Sequence, residues 1–223
     1  FYASTAPALA GANGRYLEMD YQDLQFYGDL MLMMKKKWGD FSVNGAFGGS
    51  ITDKTTNSTR YDSKTASLYY ANVFTLANII MNGSAALDQK IDSHRQLQSL
   101  FATAQVGYKE SAYIDLTARN DWSSTMSKEN QSYFYPSVSL SGVISDMVEK
   151  VGGTMPEWMS FAKVRASYAE VGNDLDPYQL YTVFKVDKDP NGNPTAALGT
   201  TLYDSSVRSE LIKSWEAGID LKF

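Results

Sequence analysis

A closely spaced pair of carboxylates is the feature of this sequence that could most readily act as a catalytic acid and base. Glu216 and Asp220 lie four positions apart, and a glycosidase needs two carboxyl groups on opposite sides of a sugar, one as acid and one as base or nucleophile. The flanking residues alternate in polarity as a β-strand does, and strand residues an even number of positions apart share one face. We therefore interpret the pair as part of a charged strand face and predict no catalytic residue.

The segment from Asp187 to Asn193 is a candidate calcium loop. Its order of Asp, Asp, Asn and Gly matches the first half of an EF-hand loop. The twelfth position holds Leu198 instead of the bidentate glutamate, and Pro190 and Pro194 suit a surface turn. We favour a turn, leave calcium as the alternative, and predict no metal site.

Composition excludes several other kinds of chemistry. The 223 residues include no cysteine and one histidine, His94, which lies in a polar stretch, and the net charge is −5. Thiolate chemistry and disulfides are therefore excluded. Nucleic-acid binding needs clustered Lys and Arg, and the basic run at 35–37 is too short for it. No Gly-x-Ser-x-Gly elbow or phosphate-binding glycine loop occurs, so we predict neither an enzyme nor a cofactor.

The elements that position the charged residues are predicted strands. Ile114, Leu116 and Ala118 alternate with polar residues, and similar alternation recurs in seven segments from about residue 22 to Phe223. No apolar run approaches the roughly 20 residues of a spanning helix, whereas strands of about 10 residues suit the ~9–11 of a tilted crossing strand. The predicted fold class is all-β, a segment of an antiparallel transmembrane β-barrel.

The connectors between the predicted strands differ in length in a regular way. Long connectors at about 52–95, 121–132 and 172–213 alternate with shorter ones. Outer-membrane barrels have long extracellular loops and short periplasmic turns, so we expect these three ranges to be extracellular. The joint at 146–158 is longer than this rule favours.

A barrel gives separate roles to the charged and aromatic residues. Strand charges are expected to form a lumenal mesh of salt bridges, aromatic residues near strand ends suit an interfacial girdle, and tyrosines of the large loops could stack on sugar rings or contact a partner. The candidate lumenal charges are Asp115, Arg119, Lys163, Arg165, Glu216, Asp220 and Lys222. The candidate girdle residues are Trp38, Tyr108, Tyr113, Trp122, Trp158 and Trp215, and the candidate loop contacts are Tyr61, Tyr69, Tyr70 and Tyr178.

Several blocks of sequence point to a family. They are YYANVFT at 69–75, ARNDWSS at 118–124, YFYPSVS at 133–139, PEWMSF at 156–161, KVRASYAEVGND at 163–174 and KSWEAGIDL at 213–221. In order and spacing they strongly resemble the barrel of SusC-like (RagA-like) TonB-dependent outer-membrane transporters of the Bacteroidetes. The resemblance covers most of residues 21–223.

This resemblance implies a larger protein with a barrel of about 22 strands, preceded by an N-terminal extension, a TonB box and a plug. We therefore expect residues 1–223 to be a partial barrel domain that lacks the plug and the TonB box. The implied activity is import of oligosaccharides or peptides across the outer membrane. The implied partners are a SusD-like surface lipoprotein, the TonB-ExbB-ExbD system acting through the missing plug, the substrate and outer-membrane lipid.

Two alternatives remain at this point. A passive or structural outer-membrane barrel would show the same strands, and an upstream plug would distinguish an energised transporter from it. A soluble carbohydrate-binding β-protein would instead have shorter strands and would fold as a monomer without detergent.

Overall fold

The structure is a computed structural model that describes residues 11–80, 87–189, 191, 193–199 and 201–223, with the backbone alone for 87–91, 185, 187 and 188. The strands are β1 (Leu17–Trp38), β2 (Phe41–Asp62), β3 (Leu87–Tyr108), β4 (Ala112–Ser123), β5 (Ser132–Val143), β6 (Phe161–Asn173), β7 (Phe184–Lys188), β8 (Pro194–Leu198) and β9 (Glu210–Lys222). A 3-10 turn at Leu76–Asn78 and a short helix, α1 (Ile144–Lys150), complete the described elements. In the described part of the chain, no helix is both long enough and apolar enough to cross a membrane.

Seven strands form one sheet in the order β1-β2-β3-β4-β5-β6-β9, so each strand pairs with the strand that follows it in this sheet. The registers from β3 to β9 are antiparallel. The remaining two strands, β7 and β8, form a separate antiparallel hairpin within the connection from β6 to β9. The predicted fold class is confirmed, since seven consecutive strands joined in chain order are what the alternating pattern indicated.

The chain divides into two compact units. Unit 1 comprises residues 1–25 and 54–94, and unit 2 comprises residues 26–53 and 95–223. All seven sheet strands contribute residues to unit 2.

The register of unit 2 separates an apolar face from a polar face. Directly opposed residues share a face. One row across β3, β4, β5, β6 and β9 is Ala104, Leu116, Val138, Tyr168 and Trp215, and the adjacent row is Gln105, Asp115, Ser139, Ser167 and Glu216. Leu116, Val138 and Trp215 of the first row are exposed, with Trp215 at 80%, and Ala104 and Tyr168 are half-buried. An outward, lipid-facing surface requires such exposed apolar side chains.

The height of the apolar face fits a membrane. On β3 the apolar positions run from Leu100 to Tyr108, and Gln98 precedes them on the same face. At about 3.3 Å per residue and a tilt of about 40°, this band is about 20 Å high, close to the ~25 Å apolar band of outer-membrane barrels.

Unit 1 has its own small core. Ala66, Leu68 and Ile79 are buried together, with Tyr16 packed against them. The buried amide of Asn78 donates hydrogen bonds to the carbonyl oxygens of Tyr70 and Val73, at 2.7 and 2.9 Å. The connection after β2 is therefore ordered around a buried side chain.

The range 52–95 differs from its expected loop structure. Strand β2 continues through it to Asp62, and β3 begins at Leu87. The physical reason is that Thr52, Thr55 and Thr56 have high β-propensity but are polar on both faces, so the alternation of polarity disappears although the strand continues. Tyr61 consequently lies on β2 and not in a loop.

Candidate functional site

A hydrogen-bonded cluster of charged and hydroxyl groups lies on the polar face of unit 2, where β4 ends. Asp121 is 3% exposed. Its carboxylate accepts from Arg119 Nε at 2.8 Å and from the Tyr135 hydroxyl at 2.6 Å. Arg119 Nη2 also donates to Ser99 Oγ at 2.9 Å. One ion pair thus connects three adjacent strands, β3, β4 and β5.

A second buried carboxylate extends this cluster. Asp174 directly follows β6, and its side chain is 3% exposed. It accepts from Arg95 Nε at 3.1 Å, from Thr125 Oγ1 at 3.2 Å and from the Ser123 hydroxyl. Asp174 therefore ties the end of β6 to β3 and to the connection after β4. We call the residues Arg95, Ser99, Arg119, Asp121, Ser123, Thr125, Tyr135 and Asp174 the carboxylate network.

Tyr135 of the carboxylate network has a second tyrosine ring beside it. Tyr133 and Tyr135 are stacked, with ring centroids 6.1 Å apart and planes 20° apart. A Cβ atom at Gly172 would lie 2.5 Å from Cδ2 of Tyr133, so glycine is required for the ring to pack there. The network and these rings are at the end of the sheet where the longer connections lie, at 124–131 and 174–209.

The seven candidate lumenal charges all lie on the polar face. Asp115 accepts from Gln105 Nε2 at 2.7 Å, and Gln105 Oε1 accepts from Asn44 at 3.1 Å. On β6 and β9, Lys163 is opposite Asp220, Arg165 opposite Gly218, Ser167 opposite Glu216 and Phe161 opposite Lys222.

The ion pairs of the polar face are not those that the candidate lumenal charges led us to expect. Arg119 pairs with Asp121, which was not among the candidates. Within the described residues, no ion pair involves Lys163, Arg165, Glu216, Asp220 or Lys222. Opposite charges on neighbouring strands pair only when side-chain length and direction bring them together, which the sequence does not specify.

Sequence reasoning missed Asp121, Asp174, Tyr133 and Tyr135, although each lies within a block that carries the family resemblance. A usable signal existed for three of them. Asp121 is two positions after Arg119, and Tyr133 and Tyr135 alternate with Phe134, so all three extend a polar strand face. Asp174 carries no such signal, because its partners come from other strands.

The candidate girdle residues lie at both ends of the sheet, and one of them, Tyr113, lies on the polar face instead of the apolar face. Near the short connections, Tyr108 packs on Phe41 with centroids 4.9 Å apart, and Trp158 stacks on Phe223 at 5.9 Å. Trp38 ends β1 at the same side.

Trp122 and Trp215 lie on the apolar face towards the long connections, where Trp215 contacts Tyr168 at 4.4 Å. Tyr113 is opposite Gly107 and Ser141 on the polar face, so it does not suit a lipid-facing girdle. Its position two residues before Asp115 already placed it on that face.

The candidate loop tyrosines occupy separate places. In unit 1, Tyr69 and Tyr70 are exposed, and their backbone N–H groups donate to the backbone and side-chain oxygens of Asn78, each at 2.9 Å. In unit 2, Tyr178 is 68% exposed.

The candidate calcium loop contains an internally satisfied carboxylate. Asp189 Oδ1 accepts from the backbone N–H groups of Asn191 and Asn193, at 2.8 and 2.9 Å, and Oδ2 accepts from Asn193 Nδ2 at 3.0 Å. Pro190, Gly192 and the side chain of Asp187 lie outside the described residues. These contacts are those of a turn, and no cluster of three His, Cys, Asp or Glu side chains that could hold a metal occurs among the described residues.

Comparisons with known proteins give two curated relatives, both from Formosa agariphila. TonB-dependent receptor P26 is 36% identical over 87 residues, covering 38% of this chain and 8% of the relative. TonB-dependent receptor P3 is 28% identical over 134 residues, covering 56% of this chain and 13% of the relative. No family model matches the chain. The chain thus spans only a small part of the length of these relatives.

Similar solved structures come from the RagAB peptide transporter. One is 18% identical with a TM-score of 0.78 and covers 93% of this chain and 23% of its own. The 'closed-closed' state of the RagAB peptide importer matches with a TM-score of 0.77, at the same identity and coverage of this chain. At this identity the likeness concerns the fold.

The relatives are receptors and not enzymes, in agreement with the prediction that the chain has no enzymatic activity. The family resemblance seen in the sequence blocks is confirmed by relatives and by fold. The chain is therefore similar to SusC/RagA-like TonB-dependent transporters and has the fold of a section of their transmembrane β-barrel.

Proposed function

We propose that this chain forms part of the barrel wall of a TonB-dependent importer in an outer membrane. The observation that carries the proposal is the division of one sheet into an apolar face about 20 Å high and a polar face rich in hydroxyls and charges. A sheet of this kind separates lipid from an aqueous path.

In this proposal the carboxylate network stabilises the extracellular mouth of the path. Its two carboxylates are almost completely buried and each joins several strands or connections. Buried polar groups with all partners present restrict the conformations of the groups around them. The ranges 52–95, 121–132 and 172–213 would then hold the substrate-contacting and partner-contacting surfaces at that side.

The proposed substrate is an oligosaccharide, with a peptide as the alternative. The polar face presents hydroxyl side chains in consecutive rows, including Thr117, Ser137, Ser139 and Ser167, which can exchange hydrogen bonds with sugar hydroxyls. Exposed Tyr178 offers an aromatic ring for stacking, as do Tyr69 and Tyr70 in unit 1. A peptide remains the alternative because the similar solved structures are described as a peptide importer.

The proposed partners are those that the similarity to SusC/RagA-like TonB-dependent transporters implies. A SusD-like surface lipoprotein would cover the mouth, and TonB-ExbB-ExbD would act on a plug outside these residues, using the proton gradient of the inner membrane. The exposed charges of β6 and β9, including Arg165 and Asp220, would contact that plug, together with half-buried Lys163.

Uptake by cells that carry the intact parent protein tests this proposal. Uptake of a labelled neutral oligosaccharide should stop when TonB is deleted or when a protonophore collapses the gradient, and a labelled peptide of similar mass serves as the comparison. Undiminished uptake without TonB would support the passive barrel instead. Peptide uptake without oligosaccharide uptake would overturn the substrate assignment but leave the transporter assignment in place.

A further inference from the structure

A groove crosses the apolar face of unit 2 near the long connections. Its volume is about 910 Å³, within the range of pockets that hold small ligands, ~300–1,000 Å³. We propose that this groove binds one acyl chain of a membrane glycolipid and that the amide side chains at its upper end hold the uncharged sugar headgroup. This inference goes beyond import, and it rests on the orientation of the apolar face towards lipid that the barrel fold provides.

The lower part of the groove is recessed and lined mainly by apolar residues, with Asp29 and Ser50 as polar exceptions. Gly28 of β1 and Gly49 of β2 line it together with Leu30, Ile51 and Leu100. A Cβ atom at Gly49 would lie 3.2 Å from Leu100 Cδ2 and 3.2 Å from the Ser99 carbonyl oxygen. Because the two glycines have no side chains, the floor lies deeper than the rest of the face, and a flexible hydrocarbon chain fits such a depression.

The upper part of the groove carries neutral hydrogen-bonding groups. Gln96, Gln98, Ser124 and Gln131 line it. Gln98 Nε2 donates to Gln96 Oε1 at 3.1 Å, and Gln96 Nε2 donates to Asp53 Oδ2 at 3.1 Å. One N–H and the side-chain oxygen of exposed Gln98 remain available to a ligand.

The change from apolar to polar occurs on two of the strands that line the groove. On β3 it falls between Leu100 and Gln98, and on β2 between Ile51 and Asp53. Trp122 is opposite Gln98 in the register, and tryptophan favours the interface between hydrocarbon and headgroups. The groove spans this boundary, so its occupant must itself be apolar below and polar above, as a lipid is.

The charges of the groove select the headgroup. No lysine or arginine occurs among its lining residues, and phosphate recognition relies on such cations. The nearby Asp53 carboxylate would repel an anionic headgroup. Amides and a carboxylate instead match the many O–H donors and acceptors of a sugar, which is why we assign an uncharged glycosyl headgroup.

Lipid retention by the full-length protein tests this proposal. The protein would be reconstituted in nanodiscs that contain equal amounts of monogalactosyl diacylglycerol and phosphatidylglycerol, extracted in mild detergent, and analysed by native mass spectrometry. We expect one galactolipid to be retained, and we expect Gly28→Leu to reduce its retention at least about tenfold. A Cβ atom at Gly28 would be in ordinary contact with the side chains of Phe26 at 3.5 Å and Ile51 at 3.8 Å, so a side chain can begin there without a backbone clash, and we expect leucine to fill the groove.

The matched control is Ala118→Leu. Ala118 lies on the same apolar face, opposite Ala102 and Pro136, and outside the groove residues, so its variant should retain the lipid fully. A second variant, Gln98→Met, keeps the side-chain length and removes the amide, and should reduce galactolipid retention severalfold. Equal retention by all variants, or equal retention of phosphatidylglycerol, would overturn the proposal. TonB-dependent uptake, measured on the same variants, reports separately on the import function.

Discussion

Two regions of the polar face hold their charged side chains in different environments, one buried and hydrogen-bonded and the other exposed. At the end of β4 and β6, Asp121 and Asp174 are almost fully buried, and each accepts hydrogen bonds from an arginine and from hydroxyls. On β6 and β9, Arg165, Glu216 and Asp220 are exposed, and no ion pair joins them within the described residues. Charges of the first region contribute to stability, whereas those of the second are available for binding.

The largest effect is expected for Asp174→Ala. The change leaves Arg95 without its partner and removes the carboxylate that accepts from Ser123 and Thr125. Loss of one partner of a buried pair costs about 3–5 kcal/mol. Because the side chain of Arg95 is 38% exposed, we expect about 3 kcal/mol. The free energy of unfolding of the full-length protein, from urea titration in detergent, measures this. The control Asp220→Ala should change it by less than about 0.5 kcal/mol, and equal losses for both variants would remove the distinction between the regions.

A smaller effect is expected for Tyr135→Phe. The hydroxyl of Tyr135 donates to Asp121 at 2.6 Å, and its loss leaves a buried carboxylate with one acceptor position unsatisfied, at a cost of about 1–3 kcal/mol. Tyr133→Phe is a control on the stacked neighbouring ring, whose hydroxyl has no hydrogen bond to a described residue, and it should cost less. Identical unfolding midpoints for the two variants would show that the hydroxyl contact is unimportant.

Unit 1 contains a third buried carboxylate, Asp62, and the stability that this carboxylate contributes should depend on pH. Arg15 donates to both carboxylate oxygens of Asp62, at 2.7 and 2.6 Å, and these bonds hold the pKa of Asp62 well below its usual range. A lowered folded-state pKa gives stability that is present above the unfolded-state value of about 3.9 and is lost as the pH falls from there towards the folded-state value.

Hydrogen exchange measures this loss. The amides of Leu68 and Ile79 are bonded within unit 1, and their protection factors should hold from pH 7 to about pH 4 and decrease below it. In Asp62→Asn, protection should be lower at pH 6 and should show no such decrease. Constant protection of the unchanged protein down to pH 2 would contradict the assigned role of the ion pair.

The smallest effect on stability is expected for Glu216→Gln. Glu216 is exposed on β9, so the free energy of unfolding should change by less than about 0.5 kcal/mol. TonB-dependent uptake should nevertheless decrease severalfold if the exposed charges contact the plug. Unchanged uptake together with unchanged stability would remove Glu216 from the functional surface.

The sequence predicted the sheet better than the site. Alternation such as that of Ile114, Leu116 and Ala118 is a local signal, so the strands of unit 2 and their two faces were predictable. The strand ends within 52–95 were not, because both faces are polar there.

The carboxylate network depends on distant residues. Asp174 is 51 positions from Ser123 and 79 from Arg95. No pattern within a strand encodes such a pairing, which appears only when the register of several strands is known.

The contact between Arg95 and Asp174 also constrains the order of folding. Closing a loop over 79 positions is entropically costly in an unfolded chain, whereas each hairpin between these residues closes over a much shorter connection. Once β3, β4, β5 and β6 have paired in turn, both residues are already held at the same end of the sheet and little entropy remains to be lost. The pair therefore forms late, and its formation reports that four consecutive strands have reached the correct register.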